Sequence, residues 1–357
     1  MDVQHNMPNI VRLKLQRLHL QNLRCHHDYT WECSEDLNLI CGDNGCGKTT
    51  LLEAAYMLAY GRSFRQAKAP QLTRWDSKSF HIQATIQRYG PLHIRLDGQK
   101  GKVQMTLQGR KVAQRKEVFE HISLIVDAPQ GVRLIDGTPG ERRKWLDRLV
   151  IATIPASHVV YQSYLRALMQ RSRLLRKAGS ASELASWEQQ IVDFGLILNQ
   201  RRAAVLTQLN TFLEAENTWL DLPFQLELVG QIFANKEAWL LWLQEKREEH
   251  QRLGRVSQGP HCDRLKIGYN GREIRVCGSR GQQKLSGIAL RLAECLVVQQ
   301  AKRLMPILLL DDCLESLDHT RVLRLMQRLQ QHQGQVLMTA PGDVSPDVLQ
   351  HTACLRL

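Results

Sequence analysis

NLICGDNGCGKTTLLEAAYMLAYGRSFR, Asn38–Arg65, is the stretch whose reading decides the fold. An apolar run, Leu37–Cys41, enters a glycine-rich loop, and a mostly apolar segment of good helix formers, Thr49–Tyr60, leaves it. The loop Gly42-Asp43-Asn44-Gly45-Cys46-Gly47-Lys48-Thr49 has the spacing GxxxxGK[ST], placed between a strand and a helix. Glycine at these positions lets successive backbone N–H groups turn inward around an anion. The following helix N-terminus adds partial positive charge, and Thr50 continues that turn. This chemistry suits a nucleoside triphosphate such as ATP. Lys48 is expected on the β- and γ-phosphates and Thr49 on Mg²⁺.

Two further segments support that reading. Ile307-Leu308-Leu309-Leu310 is an apolar strand ending in Asp311-Asp312. Such a strand places carboxylates at its carboxyl end, beside a bound nucleotide. Asp311 is expected to hold Mg²⁺, and Asp312 to orient or deprotonate an attacking water. Ser279-Arg280-Gly281-Gln282-Gln283 precedes that strand by one helix, and Ser316-Leu317-Asp318 follows it. Alone, Ser279 reads as an ordinary helix N-cap. In this order the three segments resemble the signature motif, Walker B strand and D-loop of ABC-type ATPases.

Outward from these motifs, the N-terminal third reads as strands. Residues 10–20 alternate apolar and basic, residues 79–112 break into several short strands at turn signals, and His121–Asp127 is a further apolar strand. From Pro139 to about Gly254 helix formers dominate, with apolar residues at helical spacing. Strand character returns over Lys266–Val276 around Asn270-Gly271. A helix from about Gln282 to Arg303, another over Asp318–Gln331 and a strand over Gln335–Thr339 complete the pattern. The expected organisation is 1–138 and 257–357 joined into one nucleotide-binding core, with 139–256 inserted. Trp187, Trp219, Trp239 and Trp242 fall in the insert, where core packing is the first reading and base stacking the second.

Lys and Arg total 48 against 35 Asp and Glu, a net charge of +13. The surplus is concentrated: residues 61–120 carry 13 basic and 4 acidic side chains, and 141–177 carry 9 and 2. Residues 213–249 reverse the balance, with 3 basic and 8 acidic. Two basic regions point to a polyanionic partner. The candidates are Arg62, Arg65, Lys100, Lys102, Lys111 and Arg115, then Arg142, Arg143, Lys144, Arg171, Arg173 and Arg176. The Glu141-Arg142-Arg143 cluster has an alternative reading, ion pairing with Asp147 along one helix. His261 reads as either structural or close to the nucleotide. The nine cysteines form no CxxC pair, which favours free thiols over zinc or disulfides. The opening MDVQHNMPNI lacks an apolar leader core, Met7 is a second candidate start, and no run approaches a membrane span.

Asn38–Arg65, GTPGERRKWLD (Gly137–Asp147), GPHCDRL (Gly259–Leu265), SRGQQKL (Ser279–Leu285) and LLLDDCLESLD (Leu308–Asp318) together resemble the RecF family of bacterial recombination and repair ATPases, related to SMC proteins. The resemblance spans nearly the whole chain. It implies an α/β fold: an ABC-type ATPase head with an antiparallel β-subdomain and an inserted, mainly helical lobe. It implies ATP and Mg²⁺ as cofactors, with Ser279, Gly281 and Gln282 of one copy capping ATP held by another in an ATP-dependent homodimer. It further implies a cytoplasmic DNA clamp in recombinational repair, replication-fork maintenance and the SOS response. Such a clamp binds single/double-strand junctions and gaps, hydrolyses ATP slowly with DNA stimulation, and works with RecR, RecO and RecA. The chain departs from the family at Cys262, where a basic residue is usual, and at Arg264, where a second acid is common. Asp312 stands where ABC transporters carry Glu, which predicts slow hydrolysis. The competing readings are a transporter ATPase subunit, a scaffold that binds ATP without turning it over, and a metabolic kinase. The last leaves the Ser279 motif without a purpose.

Overall fold

The runs Leu37–Cys41, Ile307–Leu310 and Val336–Ala340 are buried along their whole length. Strands covered on both faces read as unbroken apolar runs. They form the centre of a five-stranded parallel sheet ordered Ala353–Arg356, Leu37–Cys41, Val336–Ala340, Ile307–Leu310, Leu124–Asp127. The glycine-loop strand and the Asp311 strand therefore flank a common neighbour, with Leu337 paired to both Asn38 and Leu309. The structure, a computed structural model, describes residues 10–357 apart from 130, 132, 178, 232, 350 and 351, so the two candidate start methionines lie outside the described residues.

The chain divides into two compact units: residues up to Ile135 with Glu216–Leu222 and Gly278–Leu357, and Asp136–Ala215 with Pro223–Cys277. The first unit holds the parallel sheet and a six-stranded antiparallel sheet whose long strands are Lys14–Leu23, His26–Glu32, Ser79–Gln87, Pro91–Gln99 and Lys102–Leu107. Inward residues of that sheet (Leu18, Leu20, Ile82, Leu96) share one apolar core with the helix Lys48–Tyr60 and with Ile40 and Leu309 of the parallel sheet. This helix is buried nearly all round, as a helix between two sheets must be. It ends at Gly61, whose left-handed φ of 62° lets its N–H reach the Met57 carbonyl at 2.7 Å.

The second unit contains helices Pro139–Thr153, Ser157–Arg176, Lys236–Glu245 and Arg247–Leu253, nearly all of Ala181–Glu216, and a small antiparallel sheet. Its core gathers Tyr164, Ile191, Val192, Leu198, Trp239 and Leu243, with Trp187 and Trp242 packed against it. Trp219 does not belong there. It lies half-buried in a short 3₁₀ turn of the first unit, its indole N–H donating to Glu216 at 2.9 Å.

Several element bounds differ from the sequence reading for identifiable reasons. Residues 10–20 do not form one strand: Val11–Arg12 pairs with Leu304–Met305, while Lys14–Leu23 joins the antiparallel sheet. Only Leu124–Asp127 of the 121–127 run pairs with a neighbour, because Ile122 still closes the preceding helical turn on Val118. The hairpin at Asn270-Gly271 forms, but its second strand is Arg272–Glu273, after which Ile274–Cys277 turns helical. Arg264–Tyr269 pairs with Gln225–Val229, and this pairing keeps residues up to Cys277 in the second unit, beyond the 256 boundary read from sequence.

Candidate functional site

The loop after Leu37–Cys41 depends on glycines at two positions for different reasons. Gly47 has φ 108°, and a Cβ there would collide with the His26 ring and the Cys25 thiol. Gly45, at φ 89°, faces open space, so its backbone is accessible to a ligand. The helix starting at Lys48 has no side-chain cap; the Thr50 and Leu51 N–H groups donate to the Gly47 carbonyl, which leaves those of Lys48 and Thr49 to an anion at the loop. His26 Nε2 donates to the Gly47 carbonyl, 3.3 Å away, and burial lowers the imidazole pKa against the opposing effect of that bond.

Lys48 is buried and folds across the loop, donating to the carbonyls of Gly42 at 2.6 Å and Asp43 at 2.9 Å. Its partners are neutral carbonyls rather than carboxylates, so its charge remains available to an anion. Thr49 Oγ1 donates to Asp311 Oδ1 at 2.9 Å. Thr339, fully buried on the strand between them, donates to the same carboxylate oxygen at 2.9 Å and accepts the Asp312 N–H at 2.7 Å. One hydroxyl thereby fixes both acids. Burial raises the Asp311 pKa and the Asp312 charge adds to the rise, while the two hydroxyls and Arg65 oppose it.

Asp312 occupies the left-handed region at φ 50°, which Asp tolerates better than most side chains. Its carbonyl accepts the Lys284 ammonium, which also donates to the Glu315 carbonyl at 3.1 Å. Lys284 thus ties the helix Arg280–Lys302 to the turn after Asp311-Asp312. At that helix's start, Ser279 accepts the Gln282 N–H at 3.3 Å, and Gln282 accepts the Ser279 N–H at 2.8 Å. This is a reciprocal capping box. Gly281 packs so closely on the following turn that a Cβ would lie 3.0 Å from the Ser316 carbonyl.

The residues present fit a polyphosphate with a divalent cation. The Thr49 hydroxyl and the Asp311 carboxylate are adjacent hard oxygen donors, the set that Mg²⁺ takes alongside phosphate oxygens and water. Among the described residues, no group of three or more His, Cys, Asp or Glu could hold a metal ion by itself.

Thr339, Lys284 and Arg65 were missed as parts of this site. Thr339 carries no motif of its own, and Lys284 lies within SRGQQKL without a role read from that stretch. From sequence Arg65 reads only as a DNA candidate, although the Arg62–Arg65 segment follows the loop helix directly. A buried carboxylate, Glu53, also escaped notice. It sits on the loop helix, receives Arg24 at 2.7 and 3.0 Å and is bonded by Ser63, which anchors that segment.

Two candidate DNA-binding arginines are corrected. Arg142 is buried and donates to Glu273 and the Leu265 and Gly137 carbonyls. Arg171 is wholly buried between Glu188 at 3.0 Å, His250 at 3.1 Å and the Leu243 carbonyl at 2.6 Å. Both guanidinium groups are enclosed beside a carboxylate, so neither is presented to a phosphate in solvent. The proposed pairing of Asp147 with its own helix is also replaced, since Arg202 donates to Asp147 at 2.7 Å and to Asp263 at 3.1 Å. Arg143 is half-buried and donates to the Asp263 carbonyl at 2.8 Å. Arg62, Lys100, Lys102, Lys111 and Arg115 in the first unit and Lys144, Arg173 and Arg176 in the second are exposed. His261 is structural within the second unit: Tyr164 Oη lies 2.8 Å from Nδ1 and the Val256 carbonyl 3.0 Å from Nε2.

Among the described residues no helix is long and apolar enough to cross a membrane. The sequence model of the RecF/RecN/SMC N terminal domain matches residues 14–345. DNA replication and repair protein RecF of Geotalea daltonii is 30% identical over 97% of this chain and 98% of its own length. The protein of the same name from Moorella thermoacetica is 33% identical over 89% and 87%. A solved structure of the recombination mediator protein RecF-ATP in the RecFOR pathway superposes with a TM-score of 0.79 at 23% identity, covering 97% of this chain and 98% of that one. The Smc head domain of Pyrococcus furiosus superposes at 0.55 with 16% identity, over 96% and 93%. These likenesses place the mixed α/β architecture among ATPase-head folds.

Proposed function

The chain belongs to the RecF family, and from that premise we propose that it binds ATP with Mg²⁺, dimerises on it, and in that state holds DNA during replication and repair. The observation that carries this reading is the Thr49–Asp311–Thr339 network beside an uncapped helix N-terminus and a lysine held only by carbonyls. ATP supplies a shared polyanion, with Mg²⁺ screening its charge. Lys48 swings from the Gly42 and Asp43 carbonyls to meet that anion, and the N–H groups around Gly45–Thr49 close on it. Thr49 and Asp311 hold the cation.

Ser279 acts on a second copy of the chain. Its oxygen accepts within its own capping box, and its hydroxyl proton is left to donate outward. Two copies facing each other in this way make an isologous, two-fold dimer. Asp312 takes the proton of the attacking water. Its side chain is one carbon shorter than Glu, which is the basis for expecting slow turnover. The exposed cations supply sequence-independent contacts to DNA phosphates. Single/double-strand junctions as the preferred target, and RecO, RecR and RecA as partners, are the part of this proposal that family membership supports.

The test is DNA affinity measured with ATP, with ADP and without nucleotide, at two salt concentrations. Tight binding is expected with ATP only, and it should weaken as salt rises. Binding that ignores nucleotide and salt would overturn the reading.

A further inference from the structure

Trp31, Trp145 and Trp239 are each less than 5% exposed, whereas Trp75 is 99% exposed. An indole left in water contributes nothing to the core, and at that exposure both of its faces are open. The backbone beneath it is nevertheless fixed. Thr73 bridges to Leu23, the Arg74 N–H donates to the Asn22 carbonyl at 2.9 Å, and the Ser77 N–H closes a turn on Arg74 at 3.0 Å. The ring is therefore displayed on an anchored turn rather than on a loose loop.

Trp75 borders an open cleft of about 260 Å³ that is also lined by Arg74, Lys78 and Lys100 and by no acidic side chain. Two of these cations are positioned by local structure. Arg74 donates through one nitrogen to the Cys25 carbonyl at 3.0 Å, leaving its other N–H groups for an external acceptor. Lys100 and Gly101 form the two-residue turn between paired Gln99 and Lys102, at φ 49° and 76°. Two positive φ values mark the tight hairpin turn whose twist matches its strands.

We propose that Trp75, Arg74, Lys78 and Lys100 form a stacking site for an unpaired base of single-stranded DNA, with the indole on the base and the cations on its flanking phosphates. This rests on the DNA-binding function proposed above and assigns a residue-level contact that the charge pattern did not reveal. An open aromatic face with surrounding cations is the combination that tracks single strands, because every base presents a π-face while backbone charge is constant. A duplex hides its base planes except at an end, so the indole discriminates for unpaired nucleotides. Pre-set geometry on a pinned turn lowers the ordering cost of binding.

The experiment uses the full-length chain with ATP and three fluorescent DNAs: a blunt duplex, the same duplex with a single-stranded tail, and that duplex with an abasic tail. Relative to wild type, Trp75→Ala is expected to bind the tailed duplex about tenfold more weakly, with blunt-duplex affinity preserved within about twofold and Trp75→Phe intermediate. On the abasic tail, wild type and Trp75→Ala should bind alike, since the base partner is gone. Unchanged affinity of Trp75→Ala for the tailed duplex would overturn the proposal, and would point to a protein partner for this tryptophan instead. A wild-type chain that binds none of the three DNAs would overturn the DNA-binding function and this site together. Because the ring is exposed, its removal is not expected to alter the fold, and an unchanged melting curve checks that.

Discussion

Arg202 in the second unit and Lys48 in the first are both buried cations, yet their surroundings differ in kind. Arg202 is enclosed by two carboxylates, Asp147 and Asp263, and by the Pro260 carbonyl at 2.7 Å. Arg171 and Arg142 each meet one carboxylate, Glu188 and Glu273, together with backbone carbonyls. Lys48 meets only carbonyls of its own loop, and the acid nearby, Asp311, meets hydroxyls. The lesson is that burial alone does not separate a structural cation from a binding one. A cation neutralised by internal carboxylates holds the fold, and one left with neutral acceptors is free to exchange them for an external anion.

Paired substitutions test that distinction most strongly. Arg202→Ala leaves two buried carboxylates unpaired and should destabilise the chain by ~3–5 kcal/mol in urea denaturation. Lys48→Met should leave the denaturation midpoint nearly unchanged while weakening ATP binding about 10- to 100-fold by calorimetry, the loss of hydrogen bonds to a charged partner. If Lys48→Met proved as destabilising as Arg202→Ala, the distinction would fail.

A smaller effect comes from His250, which lies against Arg171 and edge-on to Trp242 at 5.1 Å. Burial, and then the Arg171 charge, lower its pKa from 6.5 to about 4. The unfolded chain takes up this proton near the ordinary value, and the folded chain resists until about 4. The stability is thus fully present above pH 6.5 and is lost as pH falls through that window. Relative to His250→Gln, wild type should lose of the order of 2 kcal/mol between pH 7 and 4, read as the difference of two denaturation series. Parallel pH dependence in the two proteins would show that His250 is not held neutral.

The smallest stability effect belongs to exposed Arg173. Arg173→Gln should shift stability by less than about 0.5 kcal/mol. If Arg173 meets a phosphate, the slope of log affinity against log salt should fall by about one. A large stability loss would move Arg173 to the structural class, beside Arg171.

The parallel-sheet strands were legible because burial on both faces writes itself as consecutive apolar residues, as in Leu308-Leu309-Leu310. The glycine loop was legible because backbone geometry restricts its residue types. The fate of the arginines was not, since their partners are remote: Glu273 is 131 residues from Arg142, and Asp147 is 55 from Arg202. Charge density identified basic segments without separating residues facing water from those facing carboxylates. Thr339 escaped because a threonine on an apolar strand looks like any β-branched core residue until its two acidic partners are placed beside it.

The central claim is that the loop of one copy is closed by the Ser279 turn of another. Light scattering of wild type and Ser279→Arg, each with and without ATP and Mg²⁺, tests it most directly. The account predicts that ATP doubles the molar mass of the wild type and leaves the variant monomeric, although the variant still binds ATP. A wild-type mass unmoved by ATP, or a Ser279→Arg variant that dimerises as readily as wild type, would contradict it.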